Sequence, residues 1–272
     1  MGQGTIKIAT SQFAVGSSIK RNSVQICRFI EKAAKAGAEI VHFPESALSG
    51  YAGVDFANFV DYDWDLLERE TRRIQSAAAK KRISVVLGSA HRAGNPEKPH
   101  QSLYLIGPDG KIAERYDKRF CMRAEMNRYT PGKRFVFFTI NGVKCSLLIC
   151  FDVRFPEIYR ELYKKDVRCV FQSFYNARQK GPSVHSQIMR QSVQCHAACN
   201  AMWVSMSNAS GNYSPYPSCF IKPDGSIGKQ LQRNKPGMMI NTVDLSEKFY
   251  DPMADFRELA IAGKLSSAQE KS

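Results

Sequence analysis

Three reactive side chains, Glu45, Lys118 and Cys150, each close a β-rich run, and together they are a base, a cation and a nucleophile. A cysteine attacks a carbonyl once a base has taken its proton, and a nearby cation favours both the thiolate and the oxyanion that forms. Val143–Ile149 has the length and side chains of a buried strand, and Pro156 followed by Glu157 suits the first turn of a helix. Cys150 therefore stands at a strand-to-helix bend. There its thiol projects from the sheet edge, and the N–H groups of the helix start, that of Phe151 among them, point toward an anion beside it. Glu45 ends Phe43-Pro44-Glu45 and Lys118 ends Tyr116-Asp117-Lys118, at strand ends where open α/β sheets place reactive groups. A lone cysteine is more often a buried apolar residue, and a lone Lys or Glu a surface charge. The conjunction of three such strand ends points to chemistry.

The elements that must position these groups follow from periodicity. Residues 5–13 alternate as a strand, Ser17 and Ser18 start a helix carrying Ile19, Ile26, Ile30, Ala33 and Ala34, and Gly37 ends it. Strands follow at 39–43 and 83–89, with a helix at 64–81 between them. Residues 102–106 and 111–116 flank the turn Gly107-Pro108-Asp109-Gly110, and the pattern returns at 218–222, Pro223-Asp224-Gly225 and 226–227. Asn141-Gly142 joins segments 134–140 and 143–149 as a hairpin. After Cys150 the pattern gives a helix to about 165, a strand at 167–172, a loop at 173–182, a helix at 183–200 and strands at 202–206 and 238–243. Two strand-and-helix halves, each closed by a Pro-Asp-Gly hairpin, imply two similar sheets face to face with helices outside. The expected fold is α/β, a four-layer αββα sandwich, with residues 1–263 as one domain and 264–272 as a mobile, Ser- and Gln-containing tail.

Bulk properties exclude more than they assign. With 272 residues the chain can bury a large core without disulfides, and its eight cysteines lack paired spacing, so they read as reduced. No run of about 18 apolar residues occurs, and the first residues lead directly into a strand, so a cytoplasmic protein without membrane contact is expected. The formal charge of +14, from 39 Lys and Arg against 25 Asp and Glu, is spread along the chain without a zinc-finger or RNA-recognition pattern. It reads as a solvated basic surface with no specific nucleic-acid partner. Cys195, His196 and Cys199 share a helix without an evident fourth ligand and read as packing residues. His42 reads as a hydrogen-bonded core residue.

The three strand-end motifs, in this order and over about residues 5–256, resemble the nitrilase superfamily of carbon–nitrogen hydrolases. Phe43-Pro44-Glu45 with Ser49-Gly50-Tyr51 is similar to the family's general-base motif, Tyr116-Asp117-Lys118 to its lysine motif, and Cys150 to Glu157 to its nucleophile elbow. Glu125, followed by Tyr129-Thr130-Pro131-Gly132, is similar to a second glutamate near the substrate. The chain departs from the family pattern at Arg119-Phe120-Cys121 and at Ala197-Ala198-Cys199-Asn200, without touching Glu45, Lys118 or Cys150. The resemblance implies hydrolysis of a small non-peptide amide or N-carbamoyl compound through a thioester, without metal or cofactor, by a homodimer. Within that expectation Glu45 is the base, Lys118 and the Phe151 N–H hold the oxyanion, and Glu125 positions the substrate amide. Tyr51 belongs to the same pocket. Phe174 and Tyr175 supply an apolar wall, and Arg178 recognises a carboxylate at the far end of the substrate. Two other readings stand beside it: nitrile hydrolysis, and a catalytically silent basic protein on the same fold that contacts nucleic acid or a protein partner.

Overall fold

Alternating side chains divide each strand between two cores, and that division builds the layers. The computed structural model describes residues 4–92, 94–176 and 180–268. The first half runs β1 (Thr5–Gln12), α1 (Ile19–Lys35), β2 (Ile40–His42), α2 (Trp64–Lys81), β3 (Ser84–His91), β4 (His100–Ile106) and β5 (Ile112–Asp117). The second runs β6 (Phe137–Ile140), β7 (Val143–Ile149), α3 (Pro156–Lys164), β8 (Cys169–Phe174), α4 (Val184–Cys199), β9 (Trp203–Asn208), β10 (Cys219–Ile221) and β11 (Ile227–Gln230). β12 (Gly237–Asp244) and α5 (Ala254–Ile261) complete the described chain. On one face of the first sheet Ala9, Val41, Val85 and Leu87 pack with Ile26, Ile30, Ile74 and Ala78 of α1 and α2. Their neighbours Ile8, Ile40 and Val86 join a second core with Leu147, Ile149 and Phe171 of the other sheet, and that core extends to Tyr159 and Leu162 of α3 and Met189 and Val193 of α4. β1 meets β9 and β4 meets β7 between the sheets. The result is the four-layer αββα sandwich.

The two sheets share one topology. Their strand orders are β12-β1-β2-β3-β4-β5 and β6-β7-β8-β9-β10-β11, and in each the second, third and fourth strands are parallel while the remaining neighbours are antiparallel. The first half thus takes its outer strand β12 from beyond the second half. The Pro-Asp-Gly hairpins occupy matching places. Gly110 and Gly225 both have φ of +81°, and their carbonyls accept from Gln75 Nε2 at 2.9 Å and Gln194 Nε2 at 2.8 Å, on α2 and α4. A Cβ at Gly110 would lie 2.6 Å from the Gln75 carbonyl oxygen, and one at Gly225 2.8 Å from that of Gln194.

Three differences from the sequence reading have physical causes. β8 continues through Phe174 rather than ending at 172, because Ser173 and Phe174 stay paired with Ser207 and Asn208 of β9. β2 is confined to Ile40–His42, since Pro44 has no N–H to continue the ladder. α5 carries no strong apolar stripe. Its Arg257, only 4% exposed, donates to the Cys199 carbonyl at 3.0 Å and to Asp251 at 2.6 Å and so anchors the helix. Of the expected tail, residues 264–268 are exposed and 269–272 lie outside the described residues.

Alanine at Gly225 or at Gly110 should destabilise the fold by about 2 kcal/mol or more, combining left-handed backbone strain with overpacking against α4 or α2. Urea unfolding of the two variants checks this, and comparable losses are expected because the two sites are equivalent.

Candidate active site

β7 delivers Cys150 to a 3-10 turn, Cys150–Arg154, that precedes α3. Cys150 itself has φ of +42°, a left-handed conformation that a side chain rarely adopts and that turns the thiol away from the strand direction. Asp152, fully buried, holds this turn. Its Oδ2 accepts from the Ile149 N–H at 3.0 Å and from the Tyr116 hydroxyl at 2.8 Å, while Oδ1 accepts from the Phe120 N–H at 3.0 Å. Tyr116 and Phe120 bracket Lys118, so one carboxylate registers Cys150 against the lysine. His196 Nε2 donates to the Val153 carbonyl at 2.9 Å and supports the turn from α4. Arg154 and Glu157 are exposed.

Glycines let the other two groups approach. Gly88 of β3 lies under Glu45: a Cβ there would be 2.1 Å from the Pro44 carbonyl oxygen and 2.8 Å from the Ser46 nitrogen. Gly132 does the same for Lys118, with Asp117 O 2.4 Å from its would-be Cβ and its own N–H donating to the Lys118 carbonyl at 2.7 Å. A buried hydrogen-bond chain fixes the end of β2. Ser173 Oγ donates to the Phe43 carbonyl at 2.9 Å, so it accepts from His42 Nε2 at 2.8 Å. His42 Nδ1 then accepts from Ser205 Oγ at 2.9 Å, which accepts from Thr10 Oγ1 at 2.8 Å. Burial pushes the His42 pKa down to about 3, consistent with the neutral ring this chain requires.

Lys118 is 0% exposed, and each of its three ammonium protons has an acceptor. These are Glu45 Oε1 at 3.0 Å, Glu125 Oε1 at 2.5 Å and, more weakly, Gln101 Oε1 at 3.4 Å. Tyr51 donates its hydroxyl to the same Glu125 oxygen, and the Met122 N–H donates to Glu125 Oε2 at 2.6 Å. Burial opposes the charge on Lys118, but Glu45 and the neighbouring acidic groups outweigh it and hold its pKa well above the ordinary lysine value. For Glu45 burial dominates and raises the pKa to about 7, with Lys118 pulling down and Glu125 pushing up. Glu45 Oε2 has no hydrogen-bond partner among the described residues, and the Glu45 carboxyl interacts with the Cys150 thiol. Burial, then the Glu45 charge, raises the Cys150 pKa well above the usual thiol value. Desolvation and the Glu45 charge exceed the pull of Lys118, so the direction of the thiol shift runs against the expectation that the nearby cation favours the thiolate.

The description of the Carbon-nitrogen hydrolase family matches residues 7–248, nearly the whole chain. The chain belongs to that family. It is a hydrolase of carbon–nitrogen bonds other than peptide bonds. An (R)-stereoselective amidase of a Pseudomonas species is 30% identical over 83% of this chain and 82% of its own length. The 2-oxoglutaramate amidase of Bacillus subtilis is 29% identical over 80% of this chain and 83% of its own. A solved structure of a mutant of the amidase from Nesterenkonia sp. AN1 in complex with butyramide has a TM-score of 0.77 at 21% identity, covering 96% of this chain and 98% of that one, and shows the shared fold.

In this carbon–nitrogen hydrolase the fold brings Glu45, Lys118, Glu125, Tyr51 and Cys150 together. Tyr175 stacks on Tyr51 with ring centroids 4.7 Å apart and donates to Asp55 at 2.8 Å. Phe151 is half-buried in the elbow turn, packed edge-on to Phe155. Phe174 is not on a loop: it is the fully buried last residue of β8 and meets Tyr216 edge-on at 5.6 Å. Arg178 lies outside the described residues. Sequence reasoning missed Gln101, Gly88, Asn176 and Tyr216, and it named Gly132 only as part of the stretch after Glu125; their parts depend on contacts between distant segments. No helix among the described residues is long and apolar enough to cross a membrane.

Gly88→Ala should lower kcat by roughly 100-fold, because a misplacement of about 1 Å at a catalytic group costs that much. Steady-state kinetics on protein with a native circular dichroism spectrum checks it.

Proposed function

We propose that this hydrolase is a thiol amidase that cleaves a small primary amide through a Cys150 thioester. The observation that carries the reading is the buried Lys118 ammonium held between Glu45 and Glu125, with Glu45 facing the thiol of the elbow cysteine. Glu45 takes the thiol proton as the sulfur attacks the amide carbon. The oxyanion is stabilised by Lys118, whose long bond to Gln101 is the one most readily given up, together with the Phe151 N–H. Glu45 then protonates the departing ammonia. It next removes a proton from water, which attacks the thioester and releases the acid and the free thiol. The balance is amide plus water giving carboxylic acid plus ammonia.

Two further points support an amide of limited size. Cys150 is only 7% exposed, and Tyr51, Tyr175 and Tyr216 are buried around the cluster. The relatives in Pseudomonas and Bacillus subtilis are both amidases, the second acting on 2-oxoglutaramate, and the Nesterenkonia amidase binds butyramide. A carboxylate at the far end of the acyl chain is the variant we favour, from Arg178 and the net charge of +14.

Ammonia release should be measured on paired small amides, one bearing a carboxylate and one its neutral isostere, with mass spectrometry following acyl addition to Cys150. Turnover and a transient acyl adduct on Cys150 are expected, and Cys150→Ala, Glu45→Gln and Lys118→Ala should each lose about 100-fold or more in turnover. Wild-type turnover in Glu45→Gln would remove the base from the mechanism, and equal kcat/KM on the paired amides would remove the carboxylate preference.

A further inference from the structure

Two residues beyond β8, Asn176 turns its carboxamide back to the nucleophile. Its side chain belongs to a residue 5% exposed, and Nδ2 lies 3.7 Å from Cys150 Sγ and 2.5 Å from the Tyr216 hydroxyl. A carboxamide nitrogen carries two hydrogens, so it can serve both contacts at once. The direction of that nitrogen is set by parts of the chain far apart in sequence. The Asn176 N–H donates to Asn208 Oδ1 at 3.0 Å, and Asn208 Nδ2 donates to the Tyr216 carbonyl at 2.9 Å and to Ser214 Oγ at 3.2 Å. Tyr216 is itself buried against Phe174. Such a network is more than a single polar residue needs for its own burial, and its end point is the sulfur.

The charges around the sulfur explain why a donor is needed there. Glu45 and Glu125 carry negative charge toward the thiol, and the Lys118 protons already have Glu45, Glu125 and Gln101 as acceptors. A thiolate formed at this depth has lost its water and gains from any fixed N–H directed at it.

We propose that Asn176 is a catalytic residue: its Nδ2–H donates to the Cys150 thiolate as Glu45 removes the thiol proton, and Tyr216 is a positioning residue that aims the amide. In that step the S–H bond breaks, the proton passes to a Glu45 oxygen, the electron pair stays on sulfur, and no covalent bond changes at Asn176. The proposal rests on Cys150 and Glu45 acting as nucleophile and base, as proposed above.

The test reads the sulfur without any amide substrate, so it can fail independently of the amidase reading. Iodoacetamide alkylation of Cys150 is followed against pH by mass spectrometry of its peptide, with the exposed Cys195 as internal standard. In Asn176→Ala, Cys150 alkylation near neutral pH should fall about tenfold, the worth of a hydrogen bond to a charged group, and its pH profile should move up by about one unit. Asn176→Asp, nearly the same shape but with a charge in place of the N–H donor, should move it further, and Tyr216→Phe should move it in the same direction by less. Cys195 should not respond. An unmoved Cys150 profile in Asn176→Ala or in Asn176→Asp would make Asn176 a structural residue of the loop and overturn the proposal.

Discussion

The site depends on one buried ammonium. Taking the Lys118 charge out of water costs several kcal/mol, and only close, oppositely charged partners offset that. Glu45 comes from the end of β2, Lys118 from the end of β5, Gln101 from β4, and Glu125 from a 3-10 turn, Glu125–Asn127. The same contacts that neutralise the lysine therefore hold four segments in register. Burial sets the acid–base character of Glu45, and the sharing of one cation between two carboxylates adds to it. Its raised pKa is a consequence of how the fold solves a charge-burial problem, and it is the property a base near neutral pH requires.

Backbone features bring these groups to one place. The repeated sheet topology puts the end of β2, which leads to Glu45, and the end of β8, which leads to Asn176, at equivalent positions in facing sheets, and the Glu45 N–H donates to the Phe174 carbonyl across that interface at 3.3 Å. Gly88 and Gly132 remove the side chains that would block the approach. Asp152 links the elbow to both flanks of Lys118. The left-handed backbone at Cys150 is a local strain of about 1–3 kcal/mol, retained because these surrounding bonds determine the turn.

Reactive residues at strand ends were legible in the sequence because each carries its signal locally: a strand-like run that ends on a charged or thiol side chain. The same holds for the layer order, since period-two strands alternate with amphipathic helices and the Pro-Asp-Gly hairpin recurs. What stayed hidden is set by tertiary contact. Asn176, Asn208 and Tyr216 form a group only after folding, and nothing near any one of them in sequence announces the other two. The upward push on the Cys150 pKa was hidden for a related reason: the sequence shows the lysine that favours a thiolate but not the burial that opposes it more strongly. The end of β8 depended on pairing with β9, and α5 on the burial of a single arginine.

In the proposed mechanism Glu45 is a base whose pKa is set by its burial and by sharing Lys118 with Glu125. The most direct test is the pH dependence of kcat/KM for wild type and Glu125→Gln. Glu45 must be ionised to accept the thiol proton, so wild-type kcat/KM should be high above pH about 7 and fall as pH drops through it. Removing the Glu125 charge, which pushes the Glu45 pKa up, should move that limb to lower pH even where the maximal rate is reduced. A profile flat through this range in wild type, or a limb at the same pH in both proteins, would contradict the account.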